Sequence, residues 1–115
     1  MKYLCLIYSD ESAWAKMTKE EAGKMMADYG AYTQDIQKSG HYIGGNRLQS
    51  VTTATMVRRR NGKVSTTDGP YVETKEQLVG YYLVDAKDLN DAIQVAGRIP
   101  GAAVGAIEVR PVAEM

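Results

Sequence analysis

Two unbroken runs of apolar residues constrain this sequence more than any other feature. The runs are Tyr3–Tyr8 (YLCLIY) and Leu78–Val84 (LVGYYLV), and each has the length of one β-strand. Side chains alternate between the two faces of a sheet, so an unbroken apolar run places apolar groups on both faces. We therefore predict that both runs are strands and that their sheet is covered on both sides.

The segment after the first run predicts a long helix. Thr18 and Glu21 have the spacing of a capping box, and Gly40 is a favourable residue directly after a helix C-terminus. Between them, apolar side chains recur at helical spacing, at Ala22, Met25, Met26, Tyr29, Tyr32 and Ile36. These signals predict a helix over residues 18–39, preceded by a short connection that contains Trp14.

A β-hairpin is predicted in the middle of the chain. Residues 41–48 suggest a strand interrupted at Gly44-Gly45, and residues 54–60 and 64–68 flank the dipeptide Asn61-Gly62. Asn-Gly supplies both positive-φ residues of a type I′ turn, which joins two antiparallel strands.

The C-terminal third predicts a second helix and a last strand. Asp88 can cap a helix that ends before Pro100, with an inner face of Leu89, Ala92, Ile93 and Ala96. Residues 104–109 suggest the last strand. The resulting order, β-α-β-(hairpin)-β-α-β, is the split βαβ pattern of an α+β, ferredoxin-like fold with an extra β-hairpin and two helices on one face of the sheet.

Length and helix number together predict self-association. The 115 residues are sufficient for one domain, which we expect to span residues 1–115. Two helices can cover only one face of a four-stranded sheet, so the apolar groups on the other face would form an exposed patch. We therefore expect a homodimer in which two sheets pack face to face.

Charge and composition argue against several classes of function. The 14 Lys and Arg residues balance the 14 Asp and Glu residues, so no net charge attracts nucleic acid or an anionic membrane. The basic run Arg58–Arg60 would divide between two faces of a strand. Neither apolar run is long enough for a membrane span or a signal-peptide core. With Cys5 as the only cysteine and His41 as the only histidine, we expect no disulfide, no metal site, no cofactor and a cytoplasmic location.

Several motifs occur in an order that resembles the DGPF-type branch of the YCII-related proteins. The most specific is the block Thr67–Leu78 (TDGPYVETKEQL), in which Tyr71 stands at the position of the phenylalanine that gives the motif its name. The other matching stretches, which span almost the whole chain, are Tyr3–Tyr8, Gly44-Gly45, Leu48-Gln49, Ile99–Gly101 and Val109–Val112.

The resemblance implies a ferredoxin-like domain that pairs into a dimeric α/β barrel. Some YCII-like relatives are enzymes of small cyclic or halogenated compounds, and DGPF-type genes are often associated with extracytoplasmic-function sigma factors, which makes a sigma-factor partner an expectation. In the YCII branch a helix histidine and an aspartate form an acid–base pair. The position of that histidine falls on Tyr29 here, so the pair does not carry over.

Asp68 is the candidate catalytic residue. A carboxylate at the end of a strand, before Gly69-Pro70, can act as a general base if it is half-buried beside tyrosines. The alternative is a turn in which the carboxylate binds nearby backbone N–H groups. Lys75, in the charged part of the same block, is a candidate ligand contact, although a solvated loop would have the same composition.

Tyrosines are the candidate ligand-binding residues. The chain has 8 Tyr and no Phe, so each ring of this kind carries a hydroxyl. Such rings can line a pocket between sheet and helix or between two subunits, or they can pack at a dimer interface. The rings that can do so are those of Tyr8, Tyr29, Tyr32, Tyr81 and Tyr82, and the first four are the candidate ligand contacts. Two functions remain open: binding of a small molecule or a protein partner in a cleft of a homodimer, and acid–base catalysis on a small cyclic compound with Asp68 as base.

Overall fold

The two apolar runs form the centre of one antiparallel sheet. The structure is a computed structural model, and it describes residues 1–114. The strands are β1 (Lys2–Ser9), β2 (Tyr42–Arg47), β3 (Thr55–Arg60), β4 (Lys63–Asp68), β5 (Gln77–Asp85) and β6 (Ala106–Pro111). The helices are α1 (Glu11–Ala15), α2 (Lys19–Lys38) and α3 (Leu89–Gly97), with short 3-10 segments at Val51–Thr53 and Pro100–Ala103.

The strand order confirms the α+β prediction and is consistent with a ferredoxin-like fold. Four strands are hydrogen-bonded in the order β2-β5-β1-β6, and every neighbouring pair is antiparallel. The remaining two strands, β3 and β4, form the separate hairpin that was predicted. Its turn has φ of 52° at Asn61 and 75° at Gly62, the positive values that a type I′ turn requires.

The predicted long helix is α2, and its caps explain its ends. The Thr18 hydroxyl accepts a hydrogen bond from the Glu21 N–H, and the Glu21 carboxylate accepts one from the Thr18 N–H, each over 3.1 Å. This reciprocal pair satisfies two N–H groups that have no partner inside the helix. At the other end the chain leaves the helix through Gly40, which has a φ of 80°.

Three local predictions were wrong. Trp14 lies in a helix, α1, rather than in a connection. The five residues of α1 are too few to show a helical period in the sequence, and the Asp10 carboxylate caps the helix by accepting a hydrogen bond from the Ser12 N–H. The last strand begins at Ala106 rather than residue 104, because a 3-10 turn precedes it. In α3 the buried face is formed by Ala92, Val95 and Ala96, whereas the predicted core residues Leu89 and Ile93 are exposed.

The core fills only one side of the sheet. In β1, Tyr3, Cys5 and Ile7 are buried beneath the helices, whereas the alternating residues on the opposite face are only half-buried. The same alternation occurs in β5, where Tyr82 and Val84 are buried. We call the opposite side the open face; it carries Leu4, Leu6, Tyr8, Leu78, Tyr81 and Leu83. Within one chain, the predicted cover of both faces is therefore present on one face only.

The hairpin extends away from the sheet as an arm. Every residue of β4 is exposed, as are Val57 and Val64, which lie on its two strands. The radius of gyration is 16.0 Å, whereas a compact domain of this length has about 13 Å. A two-stranded hairpin has no core of its own, so its conformation depends on the short turn and on contacts made elsewhere.

Removal of the Tyr32 hydroxyl should lower the stability of the core. This hydroxyl donates to the Val95 carbonyl over 2.7 Å and joins α2 to α3 in a buried environment. We expect Tyr32→Phe to reduce the free energy of unfolding by about 0.5–1.5 kcal/mol, measured by urea denaturation at one fixed protein concentration. Tyr71→Phe removes a hydroxyl from an exposed ring and should leave the midpoint unchanged; an equal loss in both variants would contradict the prediction.

Candidate functional site

A cavity of about 680 Å³ lies between the helices and one half of the sheet. Its walls come from α1, α2, β2 and β5, with Ile7 of β1 at the base. We call it the helix-side cavity. Most of its surface is apolar, and its size is in the range of cavities that hold small organic molecules. The rings that line it on the helix side are Trp14, Tyr29, Tyr42 and Tyr82. Tyr81 also borders the cavity, although its side chain lies on the open face.

The packing of Tyr82 shapes the floor of this cavity. Its ring meets Tyr32 edge to face at 5.3 Å and Tyr42 at 6.3 Å between ring centres. A Cβ at Gly45 would lie 2.9 Å from the Tyr82 ring and 2.8 Å from the Tyr81 carbonyl oxygen. Glycine at position 45 therefore allows the ring to lie directly against the β2 backbone.

The hydroxyl groups in the cavity form a directed chain of hydrogen bonds. Thr33 Oγ1 donates to the Tyr29 carbonyl over 2.8 Å, and it lies 2.7 Å from the Tyr82 hydroxyl. Since the single Thr33 proton is used by the carbonyl, the Tyr82 hydroxyl must donate to Thr33. The Tyr82 oxygen consequently retains free lone pairs that can accept a hydrogen bond.

Burial keeps two tyrosines of the cavity, Tyr29 and Tyr82, protonated. Removal from solvent raises the pKa of Tyr29, and the Gly101 backbone N–H acts in the opposite direction. Burial likewise raises the pKa of Tyr82. These hydroxyls are therefore neutral at ordinary pH. They can donate to or accept from a bound molecule, but they do not supply a phenolate base.

Hydrogen bonds connect helix α1 to the segment after β2 at the mouth of the cavity. The Glu11 carboxylate accepts from the Ser50 hydroxyl and from the Val51 N–H, each at 2.9 Å, and the Glu11 N–H donates to the Gln77 side chain over 3.0 Å. Arg47 lies over the ring of Trp14, with 5.3 Å between the guanidinium carbon and the ring centre.

A second, more open cavity of about 1170 Å³ lies at the end of the open face. Tyr8 and Leu78 of the sheet line it together with Pro70, Tyr71 and Lys75 of the motif block. We call it the open-face groove. Tyr71 is 77% exposed, so this part of the block is presented to the surroundings rather than used in the core of one chain.

The structure does not bring the candidate residues from the sequence into one site. Tyr29 and Tyr81 line the helix-side cavity, whereas Tyr8 and Lys75 line the open-face groove. Tyr32 lines neither, and its hydroxyl is already bonded to Val95. Asp68 is exposed at the end of β4 and lines neither of these cavities, so a single chain does not place it beside Tyr29.

Sequence reasoning missed several residues of the helix-side cavity, among them Trp14, Thr33 and Arg47. Thr33 lies four residues after Tyr29 on α2, and that spacing places both on one helix face. No comparable signal joins Trp14 to Arg47, because they meet through the tertiary packing of α1 against β2.

The only histidine and the only cysteine of the chain, His41 and Cys5, have structural contacts outside the candidate site. His41 joins the end of α2 to α3: its Nδ1 is 2.7 Å from the Ser39 hydroxyl, and its Nε2 is 3.2 Å from the Asp91 carboxylate. Burial raises the pKa of the Cys5 thiol to about 11, so this cysteine is a core residue rather than a nucleophile. Residues 1–114 contain no group of three His, Cys, Asp or Glu side chains arranged to hold a metal ion.

Comparison with known proteins gives one family. The family model of the YCII-related domain matches residues 1–115. A protein of Rhizobium meliloti (strain 1021), described as uncharacterised, is 37% identical over 115 residues, and the match covers 98% of this chain and 93% of that protein. Within the part of this chain that the structure describes, no helix is long and apolar enough to cross a membrane.

The contact between Tyr29 and Gly101 can be tested with a double-mutant cycle. A Cβ at Gly101 would lie 2.5 Å from the Tyr29 hydroxyl and 3.1 Å from an Ile7 methyl group. We expect Gly101→Ala to cost about 1–3 kcal/mol of stability, because the hydroxyl must move into the cavity. Adding Tyr29→Phe removes the atom that collides and should restore part of the loss in urea denaturation. Strictly additive effects would show that the two residues are not in contact.

Proposed function

This chain belongs to the YCII-related family, and we propose that it binds a small molecule in the helix-side cavity and functions as a homodimer. The motif block Thr67–Leu78 further leads us to place it in the DGPF branch of that family. The observation that carries the proposal is the cavity itself, which combines an apolar ring lining with a few hydroxyl groups that can orient a ligand.

Binding has more support than acid–base catalysis. The hydroxyls of Tyr29 and Tyr82 are held neutral by burial, and Tyr29 occupies the position at which the family resemblance implies a histidine. Asp68, the candidate base, is exposed and does not line the cavity. An enzyme with Asp68 as base is therefore the weaker alternative for this chain.

The homodimer proposal depends on the open face. Leu4, Leu6 and Leu83 lie side by side on the central strands, and no element of the described chain packs over them. A second copy presents an identical apolar face, so two sheets can cover each other and form a dimeric α/β barrel. A sigma factor, the partner that the family resemblance implies, would compete for the same face.

The cavity can be tested with a neutral fluorescent probe. We expect N-phenyl-1-naphthylamine to gain fluorescence in the presence of the protein and to quench Trp14, the only tryptophan in the chain. Ala15 is exposed and lines the cavity, so Ala15→Phe should fill part of the space and weaken probe binding about tenfold or more.

Ala13→Phe is the matched control for this variant. Ala13 is on the same helix and is also exposed, but it does not line the cavity. Probe affinity should be unchanged in Ala13→Phe. Equal affinity of the wild type and both variants would show that the probe binds elsewhere and would contradict the proposed site.

The dimer can be tested by sedimentation equilibrium. The wild type should have about twice the chain mass of 12.6 kDa, and Leu6→Glu should shift the equilibrium strongly toward monomer, because it places a charge in the proposed interface. Ile93→Glu introduces the same charge on an exposed position of α3 and should leave the dimer intact. A wild-type mass of 12.6 kDa at every concentration would refute the proposal.

A further inference from the structure

We propose that the helix-side cavity selects a ring-bearing organic acid and that the Arg47 guanidinium binds its carboxylate. This inference rests on the proposed function and adds the chemical class of the ligand. It follows from one combination of features: an aromatic cavity with a cation at its wall that is not paired with a carboxylate of the described chain.

The position of Arg47 leaves its hydrogen-bond donors available. Its guanidinium lies over the Trp14 ring, and its one further contact is a weak one, from a terminal nitrogen to the Met26 sulfur at 3.7 Å. The ion pairs among residues 1–114 do not include Arg47. A guanidinium has five N–H donors in a planar array that matches the two oxygens of a carboxylate.

Stacking on Trp14 restricts where the guanidinium can lie. A long arginine side chain loses much conformational freedom when it binds a ligand, and that loss weakens binding. Contact with the indole ring reduces the number of available positions before the ligand arrives. Arg47 is therefore partly organised as an anion-binding group.

Glu11, the other charged residue of the lining, forms no ion pair with Arg47. Each of its oxygens already accepts a hydrogen bond, one from the Ser50 hydroxyl and the other from the Val51 N–H. Both donors hold the carboxylate toward the segment after β2. Arg47 thus remains the charged group of the lining that is free to pair with a ligand.

The other lining residues favour a ligand whose uncharged part is apolar and contains a ring. Ile7, Trp14, Met26 and Val79 offer apolar surface, and the tyrosine rings add flat faces for stacking. A free phosphate or another small hydrated anion would leave this surface without a partner and would lose its own hydration. One or two rings that carry a single carboxylate fit both the apolar wall and the cation.

The proposal is tested with a charged probe and its neutral isostere. Wild-type protein is titrated with 3-phenylpropionate and with 3-phenylpropanamide, and the fluorescence of Trp14 reports occupancy. We expect the carboxylate to bind about tenfold or more tightly than the amide, as a charge-assisted pair of hydrogen bonds allows. Added salt should weaken carboxylate binding and leave amide binding unchanged.

Two arginine variants identify the group responsible. Arg47→Gln should reduce carboxylate affinity to that of the amide and leave amide affinity unchanged. Arg98→Gln is the control, because Arg98 also lies over an aromatic ring, that of Tyr32, but does not line the cavity. Both affinities should be unchanged in Arg98→Gln. Circular dichroism confirms that the variants are folded, as expected for substitutions at exposed positions.

Each contrary result has a distinct meaning. Equal wild-type affinities for carboxylate and amide, or equal losses in both arginine variants, would overturn the ligand class. The cavity would remain a binding site in that case if N-phenyl-1-naphthylamine still binds and Ala15→Phe still weakens the binding of this probe. Failure of the two phenyl probes to bind, with the naphthylamine bound, would also overturn the ligand class. Failure of all three probes would refute the proposed function and this inference together.

Discussion

The structure depends on a mismatch between a sheet that is apolar on both faces and helices that cover only one. In β1, the buried set Tyr3, Cys5 and Ile7 forms the core with α2 and α3, while the alternating set remains at the surface. Because side chains alternate along a strand, neither set can be moved without moving the other. The mismatch therefore produces two surfaces with different roles: a packed helical side that contains a cavity, and an open face suited to association.

The two surfaces lie on opposite sides of the same central strands. The helix-side cavity is lined by residues of α1, α2, β2 and β5. The open-face groove is different, since its walls include the exposed motif block around Tyr71. A second copy that covered the open face would close this groove. The most specific motif in the sequence thus belongs to the proposed interface side, and the cavity lined by Trp14, Tyr29 and Tyr82 belongs to the helix side.

Tyr29 stands where the family resemblance implies a histidine. It is a neutral phenol whose hydroxyl lies against Gly101 and whose pKa is raised by burial. Such a group can orient a ligand, but it does not exchange protons near neutral pH. Arg47 forms no ion pair among residues 1–114, and both features support the proposed recognition over proton transfer. The family's architecture can accommodate either function, because the cavity wall and not the fold determines the chemistry.

The sequence by itself determined the α+β class, the long capped helix, the hairpin and the two central strands, because each depends on local periodicity, caps and turn residues. It also predicted one wall of the site, the face of α2 that carries Tyr29. Only the tertiary structure brought Trp14 of α1 to Arg47 of β2, and only it separated Asp68 and Lys75 from that cavity. The physical reason is range: capping and alternation act between near neighbours in the chain, whereas a cavity depends on the distances between elements that pack against each other.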